Sequence, residues 1–172
     1  FIVSAKKGNL VEYAIIVAAG LDVREPLNGK PDKKLISKVG DPFTLLNAFG
    51  AYLYEKSKNR EKEFCIENHI SQKAMEEMQQ IRQQLTNIIW KTDKGCLKND
   101  KAGSIKPNDS NAEIVLAQCL FSSYCDHVAK YDGKGKIYTT AENKKCEIRG
   151  NSCLFDKEPT YITYIDIDET ND

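Results

Sequence analysis

Charge of one sign is the first thing this sequence lacks. Acidic and basic residues balance at 25 each in 172 residues, so the chain as a whole carries no field to hold a polyanion, and any nucleic-acid site must be a local patch. Residues 1–104 hold 17 basic against 13 acidic side chains and the remainder 8 against 12. No apolar run approaches the roughly 20 residues needed to span a bilayer. The opening Phe1-Ile2-Val3-Ser4-Ala5-Lys6-Lys7 lacks the charged-then-apolar order of a secretory signal. Cysteine pairing is missing too: positions 65, 96, 119, 125, 146 and 153 contain no Cys-x-x-Cys and no regular spacing. Free buried thiols in a reducing compartment are therefore expected, not a disulfide framework. There is no Gly-x-x-x-x-Gly-Lys-Thr/Ser phosphate loop. Gly133-Lys134-Gly135-Lys136 has the right composition at the wrong spacing and leads into a predicted strand. Internal repeats and low-complexity tracts are absent.

What is present suits a folded protein, with 41% hydrophobic and 9% aromatic residues. The stretch Phe64-Cys65-Ile66-Glu67-Asn68-His69-Ile70-Ser71-Gln72-Lys73-Ala74-Met75 runs on to Trp90 without Gly or Pro. In it Ile70, Ala74, Met78, Ile81, Leu85 and Ile88 recur at helical spacing and form one stripe, while Gln72, Glu76, Gln79, Gln80, Gln83 and Asn87 face away. Ser71 is the expected N-cap. Upstream, Asn9 is expected to cap a helix that is apolar all round from Leu10 to Ala19 and stops at Gly20. Pro26 to Lys38 reads as a polar loop. Asp41 is expected to cap the next helix with Pro42 at its first position, and Phe43, Leu46, Phe49 and Leu53, with Leu45 and Tyr52, form its inward face. Glu55 to Glu63 reads as a solvated helix end and turn.

Lys91 to Asn108 is rich in Lys, Asp, Gly and Asn without apolar periodicity, which places a boundary between a helical unit at 1–104 and a second unit at 105–172. Asn111 to Lys130 is predicted to be helical from Ile114, Leu116 or Ala117, Leu120 or Phe121, Tyr124 and Val128. From Gly135 onward Ile137–Thr140, Cys146–Arg149 and Tyr161–Ile167 are short β-branched and aromatic runs broken by Gly, Asn and Pro, the pattern of a small β-barrel. Between 130 and 149, Lys130, Lys134, Lys136, Lys144, Lys145 and Arg149 outnumber Asp132, Glu142 and Glu147 and alternate with Tyr131 and Tyr138. Single-stranded nucleic acid is commonly held by such mixtures, cations on phosphates and aromatic faces under bases; a solvated surface has a similar composition.

The central stretch resembles the helicase-associated region of the DEAH-box RNA helicases. Gly40-Asp41-Pro42-Phe43-Thr44-Leu45-Leu46-Asn47 is similar to the Gly-Asp-x-x-Thr-Leu-Leu-Asn opening of that region's long helix. Asn151-Ser152-Cys153-Leu154-Phe155, Glu158-Pro159-Thr160-Tyr161-Ile162-Thr163-Tyr164 and Asp166-Ile167-Asp168-Glu169-Thr170 resemble the family's C-terminal barrel. Leu21 to Leu27, and Phe64-Cys65 followed by Lys73-Ala74-Met75, are most similar to the member that acts in small-subunit ribosome biogenesis. Arg149-Gly150-Asn151-Ser152 stands where the family has His-Pro-Ser-Ser, so only Ser152 matches, and the family's final strand continues into a longer segment.

The resemblance implies an α+β fold, a ratchet-like helical bundle followed by an oligonucleotide-binding-type barrel that falls short of the family's full length. It implies an accessory C-terminal region of an ATP-dependent RNA helicase of ribosomal RNA processing, located in the nucleus and nucleolus. The Asp-Glu-x-His metal-site motif of the family's motor does not occur here. ATP and Mg are accordingly expected in motor domains preceding Phe1 and no cofactor in this chain, which alone should be inactive. Implied partners are those motor domains, single-stranded pre-ribosomal or small nucleolar RNA, and an activating protein; no membrane is implied. In the implied mechanism the central helix lies against the bases and hinders backward slipping. The residues expected to meet RNA are Gln79, Arg82, Gln83 and Asn87 on the helix, and Lys136, Tyr138, Lys144, Lys145, Arg149 and Ser152 on the barrel.

Other readings compete. A protein-docking or regulatory module without RNA binding fits the absence of catalytic groups. Asp166-Ile167-Asp168-Glu169-Thr170 matches the nucleophile loop of haloacid-dehalogenase-type phosphatases, but that chemistry also needs a magnesium carboxylate, a Lys and a parallel sheet that the sequence does not supply. Cys119, Cys125, His127, Cys146 and Cys153 have zinc-binding chemistry without zinc-site spacing, so no metal is expected. His69 has no nucleophile to pair with.

Overall fold

The most apolar segment lies deepest. In the computed structural model, which describes residues 1–93, 95, 97 and 110–168, helix α1 (Ile2–Ala5) and a 3-10 turn (Lys6–Gly8) lead into α2 (Val11–Asp22). Helix α2 is packed between α3 (Asp41–Lys56) and α5 (Gln72–Thr92). Its Val11, Ala14, Ile15, Ile16, Val17 and Ala19 are all buried, as expected for a helix apolar on every side. Two details of its ends differ from expectation. Asn9 is left-handed (φ 56°) and closes the preceding turn, so the helix begins at Val11 after Leu10. Gly20 is not a stop but a buried contact: a Cβ there would lie 2.6 Å from Leu45 Cδ2 and 3.2 Å from Met78 Cε. Close approach of α3 and α5 to α2 requires that space.

Helix α3 buries an unbroken run from Phe43 to Phe49, and Tyr52 beyond it, which confirms the inward face. Gly40 occupies its N-cap position, and Asp41 is the first helical residue. The Asp41 carboxylate does not cap the helix; it accepts a hydrogen bond from the Cys153 backbone N–H at 2.8 Å. Thr44 and Asn47, though buried, are satisfied by the loop before the helix: Ser37 N–H donates to Thr44 Oγ1 (3.0 Å), and Asn47 Nδ2 donates to the Leu35 carbonyl (3.2 Å). The segment expected to be a polar loop is thus pinned along its length, Leu35 and Ser37 being buried and Leu27 bridging to Ile70.

Helix α4 (Glu61–Glu67) holds Phe64-Cys65, and the chain breaks at left-handed His69 (φ 54°) before α5 starts. Ser71 caps α5 as predicted, its Oγ accepting from Ala74 N–H at 3.2 Å. The stripe is covered over only half its length. Ala74, Met75 and Met78 are buried, Ile81 and Leu85 are half-buried, and Ile88 is 60% exposed. The reason is the length of α5: its 21 residues extend about 32 Å, beyond the reach of the shorter α2 beside it.

Helix α6 (Ser110–Phe121) places Leu116 in the same core, and its buried Glu113 accepts from Ser37 Oγ (2.9 Å) and Asn47 Nδ2 (3.3 Å). The helix expected to reach Lys130 ends at Phe121. The hydroxyls of Ser122 and Ser123 donate to the carbonyls of Gln118 and Cys119, serving the helix end, and the β-branched and aromatic residues beyond enter a sheet instead.

That sheet has four antiparallel strands in the order β3-β2-β1-β4: β1 (Val128–Tyr131), β2 (Ile137–Thr140), β3 (Lys145–Glu147) and β4 (Tyr161–Thr163). Among the described residues it is open, with β3 and β4 at its edges. Gly133 (φ 79°), Gly135 (φ 65°) and Lys136 (φ 60°) form the β1–β2 turn, which is the structural use of the Gly-Lys-Gly-Lys sequence. The loop after β3 docks on the helical half through Cys153 and Asp41, and Lys30 meets Asp156 at 3.7 Å. The boundary expected at 104/105 lies outside the described residues. No described helix is long and apolar enough to cross a membrane.

Candidate nucleic-acid interface

The alternation of each strand divides the second half into two faces. Directly paired residues of antiparallel strands project to the same side, so the register Tyr131↔Tyr138↔Cys146 and Thr140↔Ala129↔Ile162 defines one face. That face is inward, with Ala129, Tyr138 and Thr140 buried. The register Lys145↔Thr139↔Lys130↔Tyr161 defines the opposite, outward face. Lys130, Lys145 and Tyr161 are exposed on it, Tyr161 by 60%.

This parity corrects one expected contact. Tyr138 is only 1% exposed, with its ring tilted against Tyr131 at 5.4 Å between centroids, so it offers no face to a base. Burial, and to a lesser degree the Glu158 carboxylate, push its phenol up from 10.0. Ser152 is also buried, and its Oγ accepts from Leu154 N–H at 3.1 Å, shaping the loop. The remaining expected residues of this half lie at the surface. Lys136 reaches Asp156 (3.3 Å) and covers the Phe155 ring at 3.7 Å; Lys144 pairs with Glu142 at 3.4 Å; Arg149 pairs with Asp168. Lys145 is exposed with no ion pair among the described residues.

The carboxylates of this half are largely engaged. Asp132 accepts the Thr139 hydroxyl proton, shared between its two oxygens (2.8 and 2.9 Å), Asp156 meets Lys30 and Lys136, and Glu158 accepts from the Tyr131 hydroxyl at 3.1 Å. Glu147 is an exposed acid on the outward face, in register with Ile137.

A family model described as an oligonucleotide/oligosaccharide-binding (OB) fold matches residues 116–172. The chain is 32% identical over 124 residues to a probable ATP-dependent RNA helicase, kurz, of Drosophila melanogaster, covering 72% of this chain and 10% of that protein. It is 27% identical over 180 aligned positions to the ATP-dependent RNA helicase DHX33 of Homo sapiens, covering 99% of this chain and 24% of that protein. It is 27% identical over 210 positions to the putative ATP-dependent RNA helicase rha-2 of Caenorhabditis elegans, covering 100% of this chain and 18% of that protein. This chain is accessory C-terminal sequence of the DEAH-box RNA helicase family. It spans about a tenth to a quarter of the length of these relatives.

Within this helicase region the other expected residues fall on α5. Gln79 accepts from Lys56 Nζ at 2.8 Å, Arg82 is half-buried, and Gln83 and Asn87 are exposed. Gln79 and Gln83 border an open cavity of about 300 Å³ with Lys56, Glu76 and Gln80. A larger one, about 520 Å³, opens at the α4–α5 junction against Lys62, Ile66, His69 and Gln72 and includes none of the predicted residues. The phosphatase-like motif lacks its setting, because every strand pairing among the described residues is antiparallel; Asp166 accepts from Ile167 N–H and Asp168 holds Arg149, while Glu169 and Thr170 lie outside the described residues. The candidate zinc ligands sit apart on α6, β3 and loops, and among the described residues no three His, Cys, Asp or Glu converge. Cys153, beside Asp41, has its thiol pushed up to about 12 by burial and by that carboxylate.

Sequence reasoning missed Tyr161 as a surface ring, and it read Lys130 as part of a helix. The signal for Tyr161 was the alternation Tyr161-Ile162-Thr163, whose middle residue matches the buried parity. Lys130 required knowing that β1 pairs on both sides.

Proposed function

We propose that this region contributes single-stranded RNA contacts to an ATP-dependent RNA helicase acting in ribosomal RNA processing and small-subunit biogenesis in the nucleolus. The motor domains that bind ATP and Mg belong to the remainder of such a polypeptide, and an activating protein completes the assembly. The observation that carries this reading is that the sheet and hairpins of the OB-type half present Lys130, Lys134 and Lys145 to solvent without an ion pair among the described residues, while Asp156 and Asp168 are held in ion pairs and Asp132 and Glu158 accept hydrogen bonds from neighbouring hydroxyls. Gln83 and Asn87 on α5 form a second, uncharged contact surface.

Fluorescence anisotropy of a short uridine-rich strand tests the reading. Three or four phosphate contacts give a log–log salt slope of roughly two to three, and replacing Lys144 and Lys145 together with Ala lowers that slope by about 1.4. Absence of binding at low salt refutes it. A protein-docking role is the second reading, favoured by the exposure of Ile88 and Trp90 on α5 and of Ile114 and Phe121 on α6.

A further inference from the structure

Asp41, Thr44 and Asn47 stand at every third position of α3, so these polar residues of the Gly40–Asn47 stretch lie along one side of the helix. The two inner ones tie the helical half together: Thr44 accepts from Ser37 N–H, and Asn47 meets the Leu35 carbonyl and Glu113 of α6. Asp41 instead reaches across to the sheet half, where it accepts the Cys153 N–H at 2.8 Å. We infer that this contact is a latch, and that its release lets the sheet half swing as a folded body about the Ser122–Asp126 segment while the helical half stays intact. Docking fixes the lysines of the sheet relative to the polar face of α5, so the latch decides whether one ligand meets both. It does not depend on what that ligand is.

The apolar packing is divided in the same way. Among the described residues the core around α2 runs along the chain only as far as Cys119, and the buried Ala129 and Tyr138 of the sheet lie outside it. The hydrogen bonds and ion pairs that cross between the halves come, among the described residues, from one loop. Besides the Cys153 amide, Lys157 Nζ lies 3.5 Å from the Lys38 carbonyl, and Asp156 pairs with Lys30 at 3.7 Å, an exposed pair that contributes little in water. The Cys153 thiol also bonds Asp41 and Thr44. That loop holds its own shape, because the N–H groups of Ser152, Phe155 and Lys157 donate to the carbonyls of Arg149, Ser152 and Leu154. It therefore docks as a formed surface. Between the halves Ser122, Ser123, Cys125 and Asp126 are exposed. The backbone bonds there are local, from Ser122 to Gln118, Ser123 to Leu120, Tyr124 to Phe121 and His127 to Tyr124, so a rotation within the segment breaks no long-range pairing.

The test uses the full 172-residue chain and pulsed alkylation in rising urea below the unfolding transition, read at each cysteine by mass spectrometry. In the wild type Cys153 should become reactive through an opening with a small urea slope, whereas Cys65, buried in the helical core, should react only with the slope of global unfolding. Coincident slopes overturn the latch. Asp41→Ala should raise the Cys153 rate about ten-fold over Asp41→Asn, because both lose the charge beside the thiol and only Ala loses the acceptor. Small-angle X-ray scattering of Asp41→Ala should show a larger radius of gyration, while hydrogen exchange in α2 and in β1 to β4 stays as slow as in the wild type. Equal rates for the two variants overturn the latch. So does a faster rate with unchanged scattering, which means that the loop frays alone, or with lost strand protection, which means that the sheet unfolds. If Asp41→Ala does not fold, the two wild-type slopes decide.

Discussion

Truncating α5 at two positions of the same sequence stripe should give very different losses. Met78 is fully buried, and its Cε lies 3.2 Å from the point a Gly20 Cβ would occupy, so it fills the contact between α5 and α2. Met78→Ala removes that contact and leaves a void in a core that cannot close over it, at a cost of about 2–4 kcal/mol. Leu85, one heptad further on, is half-buried. Removing its three outer carbons would cost about 2.4 kcal/mol if all were buried, and so about 1 kcal/mol here. Against a total stability of about 5–15 kcal/mol, the first change lowers the melting midpoint by roughly 5–15 °C and the second by about 2–4 °C. Urea titration followed by circular dichroism supplies both free energies, with unchanged slopes showing that the comparison is between like transitions. Equal losses at the two positions, or a greater loss at Leu85, would show that α5 is covered along its whole length and that the exposure of Ile88 is wrong.

Tyr52 provides a test at alkaline pH. Its buried hydroxyl has no partner among the described residues, and burial, with Glu76, Cys65 and Glu61 adding to it, raises the phenol from 10.0 to about 12. Between these values the unfolded chain has lost the proton while the folded one keeps it, so stability falls as pH rises from 10 towards 12; Tyr52→Phe should flatten that fall and add about 1 kcal/mol at neutral pH, whereas a clear destabilisation in a neutral-pH melt would mean the hydroxyl has a partner. Thiol labelling at pH 8 should be fast at exposed Cys125 and slow at Cys153, whose raised pKa of about 12, against an ordinary 9.0, leaves roughly a thousandth of the usual thiolate. Cys125→Ser should remove one fast equivalent; its removal by Cys153→Ser instead would contradict the burial of that loop.

Local pattern was enough for much of this molecule. The all-round apolarity of α2, the inward run of α3, the Ser71 cap and the strand character of Ile137–Thr140 follow from side-chain periodicity and from hydrogen-bonding groups within a few residues, which a sequence states directly. The motifs carrying the helicase resemblance are likewise linear. Tertiary structure alone decided what those periods meet. A helical period says that Ala74, Met78 and Leu85 share a face, but how far along that face another element reaches depends on the lengths of α2 and α3, and they leave its second half uncovered. A strand period says that Tyr138 and Lys145 alternate with their neighbours, but which parity points inward depends on pairing between strands, and a shift of one residue exchanges the faces. That pairing turned Tyr138 into core, drew Val128, Ala129 and Lys130 out of the expected helix, and set Lys130 beside Tyr161, 31 positions away in the chain.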